Sequence, residues 1–397
     1  MVKVGESLER ARTLLRLSRP ADAERELRGV LAAEPEQETA HCLLALALIG
    51  QGKAGEAVEE AREGVRLAPG HWFPHYVAGQ VHYRSGRPDD AVRAGETALA
   101  HAPEQAAVWE LLARAHSAAG RWRQMADAAR GGLAVDPEDA DLASLLSIAH
   151  TCLGEAEPAR TTAAYALRID PESTTAHLAA GRAALAFGDP KAAARHFREV
   201  LHLDPGFGPA RDLLAEALKQ RNPLQRKLSE LRRRHRGGLR LLLLLPAVPP
   251  LIAVFVLIAL MHWVAWVFEA VTVLRLARAR ATRLLFEGAE ARVAGLCCAL
   301  LAAGVATLAL GVALGAEAVG MAGAAVMALV TPVQEAAHTG APNGRATLYV
   351  WTFLLAAAAV VAAAAGVPTL ALLTVYAALG TIWPAAWVRR ATAAPPA

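Results

Sequence analysis

The sequence predicts an all-α chain in two parts: a superhelical solenoid of six helix-pair repeats with a capping helix, then a multi-span α-helical transmembrane domain. Two observations predict it. Prolines recur at an interval of 34 through the first half, and a fixed period of this size marks a stacked array. Beyond residue 241 charges become sparse, and Leu, Ala and Val run on for lengths exceeding the ~20 residues that cross a bilayer. The expected boundaries are 4–220 for the solenoid, 221–240 for a basic juxtamembrane linker, 241–390 for the membrane part and 391–397 for the tail.

The repeat rests on several columns in one register. Pro35, Pro69, Pro103, Pro137, Pro171 and Pro205 form the first. Gly52, Gly86, Gly120, Gly154 and Gly188 form another, with Ser18 in the same place. Ala23, Ala57, Ala91, Ala159 and Ala193 share a third, where Met125 is the exception. Leu31, Val65, Leu99, Leu133, Leu167 and Leu201 form a fourth, and small residues alone occupy Ala11, Ala45, Gly79, Ala113, Ser147, Gly181 and Ala215. Each column has a physical job. The Gly column sits where two helices of a pair turn tightly and φ turns positive. The Pro column ends the second helix of a pair and opens the next first helix. The small columns let helices approach, and the Leu/Val column fills the seam between them.

These columns resemble the tetratricopeptide repeat family over about half of the chain. Six repeats follow: 4–37, 38–71, 72–105, 106–139, 140–173 and 174–207. A seventh first helix, about 208–220, caps the last apolar face. The sequence departs from the family where its two aromatics survive only as Trp109 in a first helix and Phe197 in a second. The resemblance implies that first helices line a concave groove through the second, fifth, ninth, twelfth and thirteenth places of each repeat. In repeats three and four these are Phe73, Tyr76, Gln80, Tyr83, Arg84, Ala107, Glu110, Arg114, Ser117 and Ala118; repeat six adds Arg182. Aromatics beside arginines are what a peptide-binding hot spot uses, so the expected partner is a protein or peptide; a merely solvated face is the plainer alternative. The family's clamp for chaperone tails needs Lys and Asn at the fifth and ninth places. Here those read Leu8/Arg12, Cys42/Leu46, Tyr76/Gln80, Glu110/Arg114, Ser144/Ile148 and Leu178/Arg182, so the clamp is missing.

Charge divides the chain at the same point: residues 1–219 are net acidic and 220–397 net basic, within an overall +4. Arg232, Arg233, Arg234, Arg236 and Arg240 stand directly before the apolar run. A basic cluster flanking a span marks the cytoplasmic side and meets anionic lipid headgroups. It lacks the interleaved aromatics of a nucleic-acid binder. The opening residues are amphipathic with no apolar signal core, so the solenoid is expected in the cytoplasm. The Ala-, Arg- and Gly-rich composition points to a high-GC bacterial source.

The run 241–274 holds only His262 and Glu269 as ionisable groups. Later spans read 293–314, 316–334, 346–365 and 368–388, with Gly311 and Gly315 as a small-xxx-small pair. Arg275, Arg278, Arg280 and Arg283 follow the first run, although its front flank is basic too. Positive residues resist translocation. Both clusters stay inside if 241–274 enters and returns, broken at the PAVPP of 246–250; Arg345, Arg389 and Arg390 then also lie inside. A single first span puts Arg275–Arg283 and Arg389–Arg390 outside. Trp263 and Trp266 place Glu269 and His262 at interface depth, and Glu335 and His338 are expected at the water interface.

No catalytic constellation emerges. LIGQGKAGE lacks the GK[ST] and glycine spacing of a phosphate loop. His71, His75 and His82 have no acidic or Cys companion. The four cysteines, Cys42, Cys152, Cys297 and Cys298, form no CxxC and read as small buried apolar residues. No cofactor and no metal are therefore expected. The leading reading is a membrane-tethered scaffold that is not an enzyme. The alternatives are a transporter or channel with a cytoplasmic regulatory array, and a membrane enzyme that recruits substrate through its repeats. Ionisable groups in mid-span, which ion coupling needs, are missing from 293–314, 346–365 and 368–388.

Overall fold

The computed structural model describes residues 2–221, 250–278 and 288–392. The linker arginines Arg232, Arg233, Arg234, Arg236 and Arg240 lie outside them, as do Arg280 and Arg283. Among the described residues the chain is all-helical. It divides into two compact units, Met1–Leu214 and Ala215–Ala397.

The first unit is six helical hairpins. They are α1 Val2–Arg16 with α2 Pro20–Ala33, α3 Glu38–Gly50 with α4 Ala54–Leu67, α5 Trp72–Arg84 with α6 Pro88–His101, α7 Ala106–Ala118 with α8 Trp122–Val135, α9 Ala140–Leu153 with α10 Ala156–Ile169, and α11 Thr174–Ala186 with α12 Pro190–Leu203. Helix α13, Gly208–Lys219, follows as the seventh first helix. The turn inside each pair needs a left-handed residue, and the Gly column supplies it: Gly52, Gly86, Gly120, Gly154 and Gly188 have φ of +79°, +73°, +69°, +81° and +84°. Ser18 takes the same conformation at φ +54°, at a steric cost of about 1 kcal/mol.

The small and Ala columns face one another. A Cβ on Gly79 would lie 3.3 Å from the carbonyl oxygen of Ala91, and the buried hydroxyl of Ser147 donates to the carbonyl of Ala159 at 2.8 Å. Trp109 and Phe197 sit where glycine has cleared space. Trp109 covers Gly131 and Gly132, and Phe197 covers Gly181.

The prolines end the second helices, as expected, but do not open the next first helices, which begin three residues later. Their carbonyls are instead tied down. His41 and His75 donate from Nε2 to the carbonyls of Pro35 and Pro69 at 2.9 and 2.8 Å. Trp109 and His177 do the same for Pro103 and Pro171, both at 2.9 Å, and Arg211 for Pro205 at 2.7 Å. These donors all stand at the fourth place of their repeats. Repeat five has Ala143 there, and the Tyr165 hydroxyl serves the Pro137 carbonyl instead, at 2.7 Å. Every one of the six turns thus satisfies a carbonyl that the helices leave orphaned.

The second unit contains α14 Pro250–Arg278, α15 Ala289–Ala313, α16 Glu317–Ala328 continuing as α17 Val330–Ala337, α18 Pro342–Ala365, and α19 Pro368–Gly380 continuing as α20 Ile382–Thr392. Five stretches are long and apolar enough to cross a membrane: Val256–Arg278, Ala289–Ala313, Glu317–Ala337, Pro342–Ala365 and Pro368–Arg389. Residues 250–278 are one unbroken helix, and the stretch 246–249 of the expected break lies outside the described residues.

Four expectations are corrected here. Gly315 is not half of a packing pair; it turns the chain at φ +63°. The close approach runs between Gly304 and Gly311 on α15 and Gly320 and Gly323 on α16. A Cβ on Gly311 would collide with the Gly320 nitrogen, and one on Gly323 would meet the Gly304 oxygen at 2.7 Å. Trp263 and Trp266 are not interface anchors. Trp263 donates from Nε1 to the Met327 carbonyl at 2.9 Å, Trp266 is fully buried, and His262 beside them is buried too. Glu335 is not at the water interface: it is 1% exposed, ion-pairs with Arg389 and accepts from Trp266 Nε1 at 3.2 Å. His338, by contrast, is exposed, with its Nε2 3.4 Å from Glu269. Among the cysteines, Cys42 and Cys297 are buried, but Cys152 is exposed. Burial and the charge of Glu38 push the Cys42 thiol up to about 12.

Short connections make consecutive helices of this unit antiparallel. The chain therefore brings the end of α14, the starts of α15 and α18, and the ends of α17 and α20 to one end of the bundle. Arg275, Arg278, Arg292, Arg345 and Arg389 all lie there. The turns at the other end, 314–316 and 366–367, carry no Lys or Arg.

Candidate functional site

The candidate face is built by consecutive first helices, which stack side by side because each repeat presents the same apolar columns. Helix α5 contributes an aromatic shelf. Trp72 meets Phe73 edge-on at 5.7 Å between centroids, Trp72 lies 5.8 Å from Tyr76, and Phe73 lies 6.5 Å from Tyr76. Pairs of this kind contribute about 0.5–1.5 kcal/mol beyond their burial. None of the expected aromatics is free of the core: Phe73 and Tyr76 pack against the apolar cluster of the first three repeats, and Tyr83 against the next. Their half-exposed edges are what a ligand would meet.

Beside the shelf lie a polar pair on α5 and, on the following first helices, a polar chain that crosses three repeats. Gln80 donates from Nε2 to the Tyr76 hydroxyl at 2.5 Å on α5. On α7, Arg114 pairs with Glu110 at 2.5 Å and reaches Asp141 on α9 at 3.6 Å. The Thr175 hydroxyl on α11 donates to the other Asp141 oxygen at 2.5 Å. Burial pushes the Glu110 carboxyl above its ordinary value; Arg114 opposes the shift, and the charges of Asp141 and Asp139 add to it. Tyr76 is raised by burial first and by the Glu110 charge next, against the Gln80 hydrogen bond, Arg114 and Arg84. Tyr76 on α5 thus feels the charges of Glu110 and Arg114 on α7 as well as that of Arg84 on its own helix.

The structure therefore places five of the eight expected residues on neighbouring first helices, Phe73, Tyr76 and Gln80 on α5 and Glu110 and Arg114 on α7, with Arg84 one helical turn beyond Gln80. Tyr83 stands one helical turn beyond Gln80. Arg182 lies apart, on α11, where its charge reaches Cys152. Arg84 and Arg182 are exposed and make no ion pair with a described residue, so both guanidinium forks face outward. Trp72, Asp141 and Thr175 were missed. The last two occupy the second place of repeats five and six, the place of Phe73 in repeat three, so the register itself carried the signal. Among the described residues no group of three His, Cys, Asp or Glu is placed to hold a metal. Of the three histidines of repeat three, His75 is committed to Pro69 and lies against His101 at 5.6 Å.

Family profiles described as tetratricopeptide repeat match residues 8–71 and 153–207, and residues 82–149. Among solved structures, a thermophilic tetratricopeptide-repeat protein of Thermus thermophilus is similar at 20% identity, over 46% of this chain and 98% of its own, with a TM-score of 0.41. The pilF protein of Pseudomonas aeruginosa is similar at 20% identity, over 54% and 97%, with a TM-score of 0.46. PilW, a type IV pilus biogenesis factor, is similar at 16% identity, over 53% and 98%, with a TM-score of 0.47. All three likenesses fall on about half of the chain. No curated protein matches it.

Proposed function

We propose that this chain, whose front half is an array of tetratricopeptide repeats, is an interaction scaffold that holds a protein or peptide partner at a membrane. Repeat arrays of this kind serve protein–protein interaction through extended concave surfaces. The observation that carries the reading is the aromatic shelf of α5 beside the polar chain from Glu110 to Thr175. Together they offer flat apolar contact and fixed hydrogen-bonding groups along one line. Phe73, Tyr76, Gln80, Tyr83, Arg84, Glu110, Arg114 and Arg182 are the residues proposed to meet the partner. The chemistry is recognition, with no reaction assigned.

The second unit is the proposed anchor, and charge sets its orientation. Positive residues stay on the cytoplasmic side, so the end bearing Arg275, Arg278, Arg292, Arg345 and Arg389 faces the cytoplasm. The basic segment 220–240 places the solenoid there as well, with anionic headgroups as its lipid contact. Five crossings alone would set the two basic clusters on opposite faces. The rule therefore asks for an entry limb before Pro250.

The triple substitution Tyr76→Ala, Tyr83→Ala and Arg114→Ala tests the groove. Hot-spot truncations cost about 2 kcal/mol or more each, so capture of the partner by the full chain is expected to fall at least tenfold. The helical circular dichroism signal should persist. Unchanged capture, with loss instead on substituting Arg62 and Arg130 of α4 and α8, would reject the groove reading.

A further inference from the structure

The second unit holds a cavity of about 140 Å³ where the end of α14, the start of α15, the end of α17 and the start of α18 come together. It lies at the basic end of the bundle. Val273, Val293, Ala294 and Ala337 give it an apolar wall. Arg345 and Tyr349, one helical turn apart on α18, face the same space, as does the buried Gln334 of α17.

Arg345 is the group the fold leaves without a counter-charge. Its Nε donates to the Thr339 carbonyl at 3.2 Å, and Thr339 is buried, so backbone rather than an acid steadies the guanidinium. Arg345 is exposed and makes no ion pair with a described residue. The exposed Tyr349 has no hydrogen-bond partner for its hydroxyl among the described residues. The two carboxylates that border the cavity, by contrast, already have basic partners. Glu269 lies 3.4 Å from His338, and Glu290 lies 2.9 Å from Lys219.

The surroundings narrow the ligand. A guanidinium fork matches the two unesterified oxygens of a phosphate, and a hydroxyl one turn away adds a further donor. The apolar wall favours a ligand that carries carbon beside its charge, since burying Val and Ala surface stabilises only apolar contact. Past Arg345, α18 turns Val350, Phe353 and Leu354 outward, all more than half exposed, which offers acyl chains a continuous path. Arg275, Arg278 and Arg292 stand at the same end and also make no ion pair with a described residue. Their field attracts a net negative headgroup and repels the ammonium of a zwitterionic one.

We propose that this cavity is a headgroup site for one anionic phospholipid, with the phosphate diester on Arg345 and Tyr349 and the glyceryl and first acyl carbons against the Val and Ala wall. The proposal rests on the second unit lying in a bilayer, which carbonate extraction tests separately; a chain that stays in the membrane pellet can still fail here. The test is thermal unfolding of the full chain in neutral detergent with added phosphatidylglycerol, phosphatidylcholine or sodium phosphate. Phosphatidylglycerol is expected to raise the midpoint saturably, by roughly 3 °C near saturation relative to phosphatidylcholine, and sodium phosphate to leave it unchanged. Arg345→Gln should lose that rise. Arg292→Gln, at the same end but outside the cavity lining, should keep it. Ala337→Leu, which fills the cavity and leaves Arg345 in place, should lose it too. Equal midpoints in both lipids would overturn the proposal. So would a rise kept in Arg345→Gln, or one lost equally in Arg292→Gln, which would mean diffuse attraction to a basic surface. The same rise with sodium phosphate would mean a free-anion site, not a lipid site. Should Arg345→Gln not fold, equilibrium binding of radiolabelled phosphatidylglycerol to the wild-type chain, in competition with unlabelled phosphatidylcholine, decides. One saturable site that phosphatidylcholine does not displace supports the proposal, and none overturns it.

Discussion

Leucine in place of Gly311 is expected to abolish the folded membrane unit. The reason is the closeness of two backbones. Even a single Cβ at Gly311 would stand 2.5 Å from the Gly320 Cα and closer still to its nitrogen, and neither atom can move without moving α16. Inserting one extra methylene into a packed core typically costs about 1–3 kcal/mol, and leucine adds four carbons against backbone. Lipid offers no hydrophobic force to hold separated helices together, since its tails are as apolar as the side chains. The α15–α16 hairpin would have to open, and its opening would strip the wall from the rest of the bundle. Size-exclusion chromatography of the detergent-solubilised chain should show loss of the monodisperse peak. Gly295→Ala is the matched control. It lies on the same helix, and nothing stands within 4 Å of its would-be Cβ, so its peak should be unchanged. A Gly311→Leu variant that elutes and melts like the wild type would contradict the close approach.

Removing Arg389 is the second large effect. Its partner Glu335 has only 2% of its side chain exposed, whereas Arg389 keeps 24%. The asymmetry decides which truncation hurts more. Without Arg389 the carboxylate is left buried and uncompensated, and breaking a buried pair in this way costs about 3–5 kcal/mol. Without Glu335 the guanidinium can extend toward the headgroups on its long stem, so Glu335→Ala should cost less. Trp266 Nε1 then loses its acceptor, which adds roughly 1–3 kcal/mol. Arg389→Ala is therefore expected to lower the melting midpoint most, Glu335→Ala less, and the double variant should recover part of the loss. Strictly additive losses in that double-mutant cycle would mean the two side chains do not interact.

The solenoid was legible because each repeat meets the same surroundings. A column such as Gly52 to Gly188 is one physical requirement, a left-handed turn, stated five times over. The fourth-place donors were equally periodic. They went unread because His, Trp and Arg look unrelated until their shared acceptor, a proline carbonyl, is seen. The groove was partly legible for the same reason: Tyr76 and Arg114 follow from register alone. The Arg114–Asp141 contact does not, since it depends on how far one repeat leans over the next.

In the membrane half the sequence says less. Almost every position is apolar, so no polar alternation marks which side of a helix is buried. Gly311 and Gly315 look alike on a page, yet one packs and the other turns. Glu335 read as interfacial because its cation stands 54 residues away and its indole 69.

Alkaline carbonate extraction of cell membranes carrying the full chain tests the central claim most directly. Five apolar stretches, each at least 21 residues long, should hold the chain in the bilayer by burial alone, independent of ionic contacts. The chain is predicted to remain entirely in the membrane pellet. Its release into the supernatant would contradict membrane anchoring, and would mean that residues 250–392 fold as a soluble or peripheral helical unit.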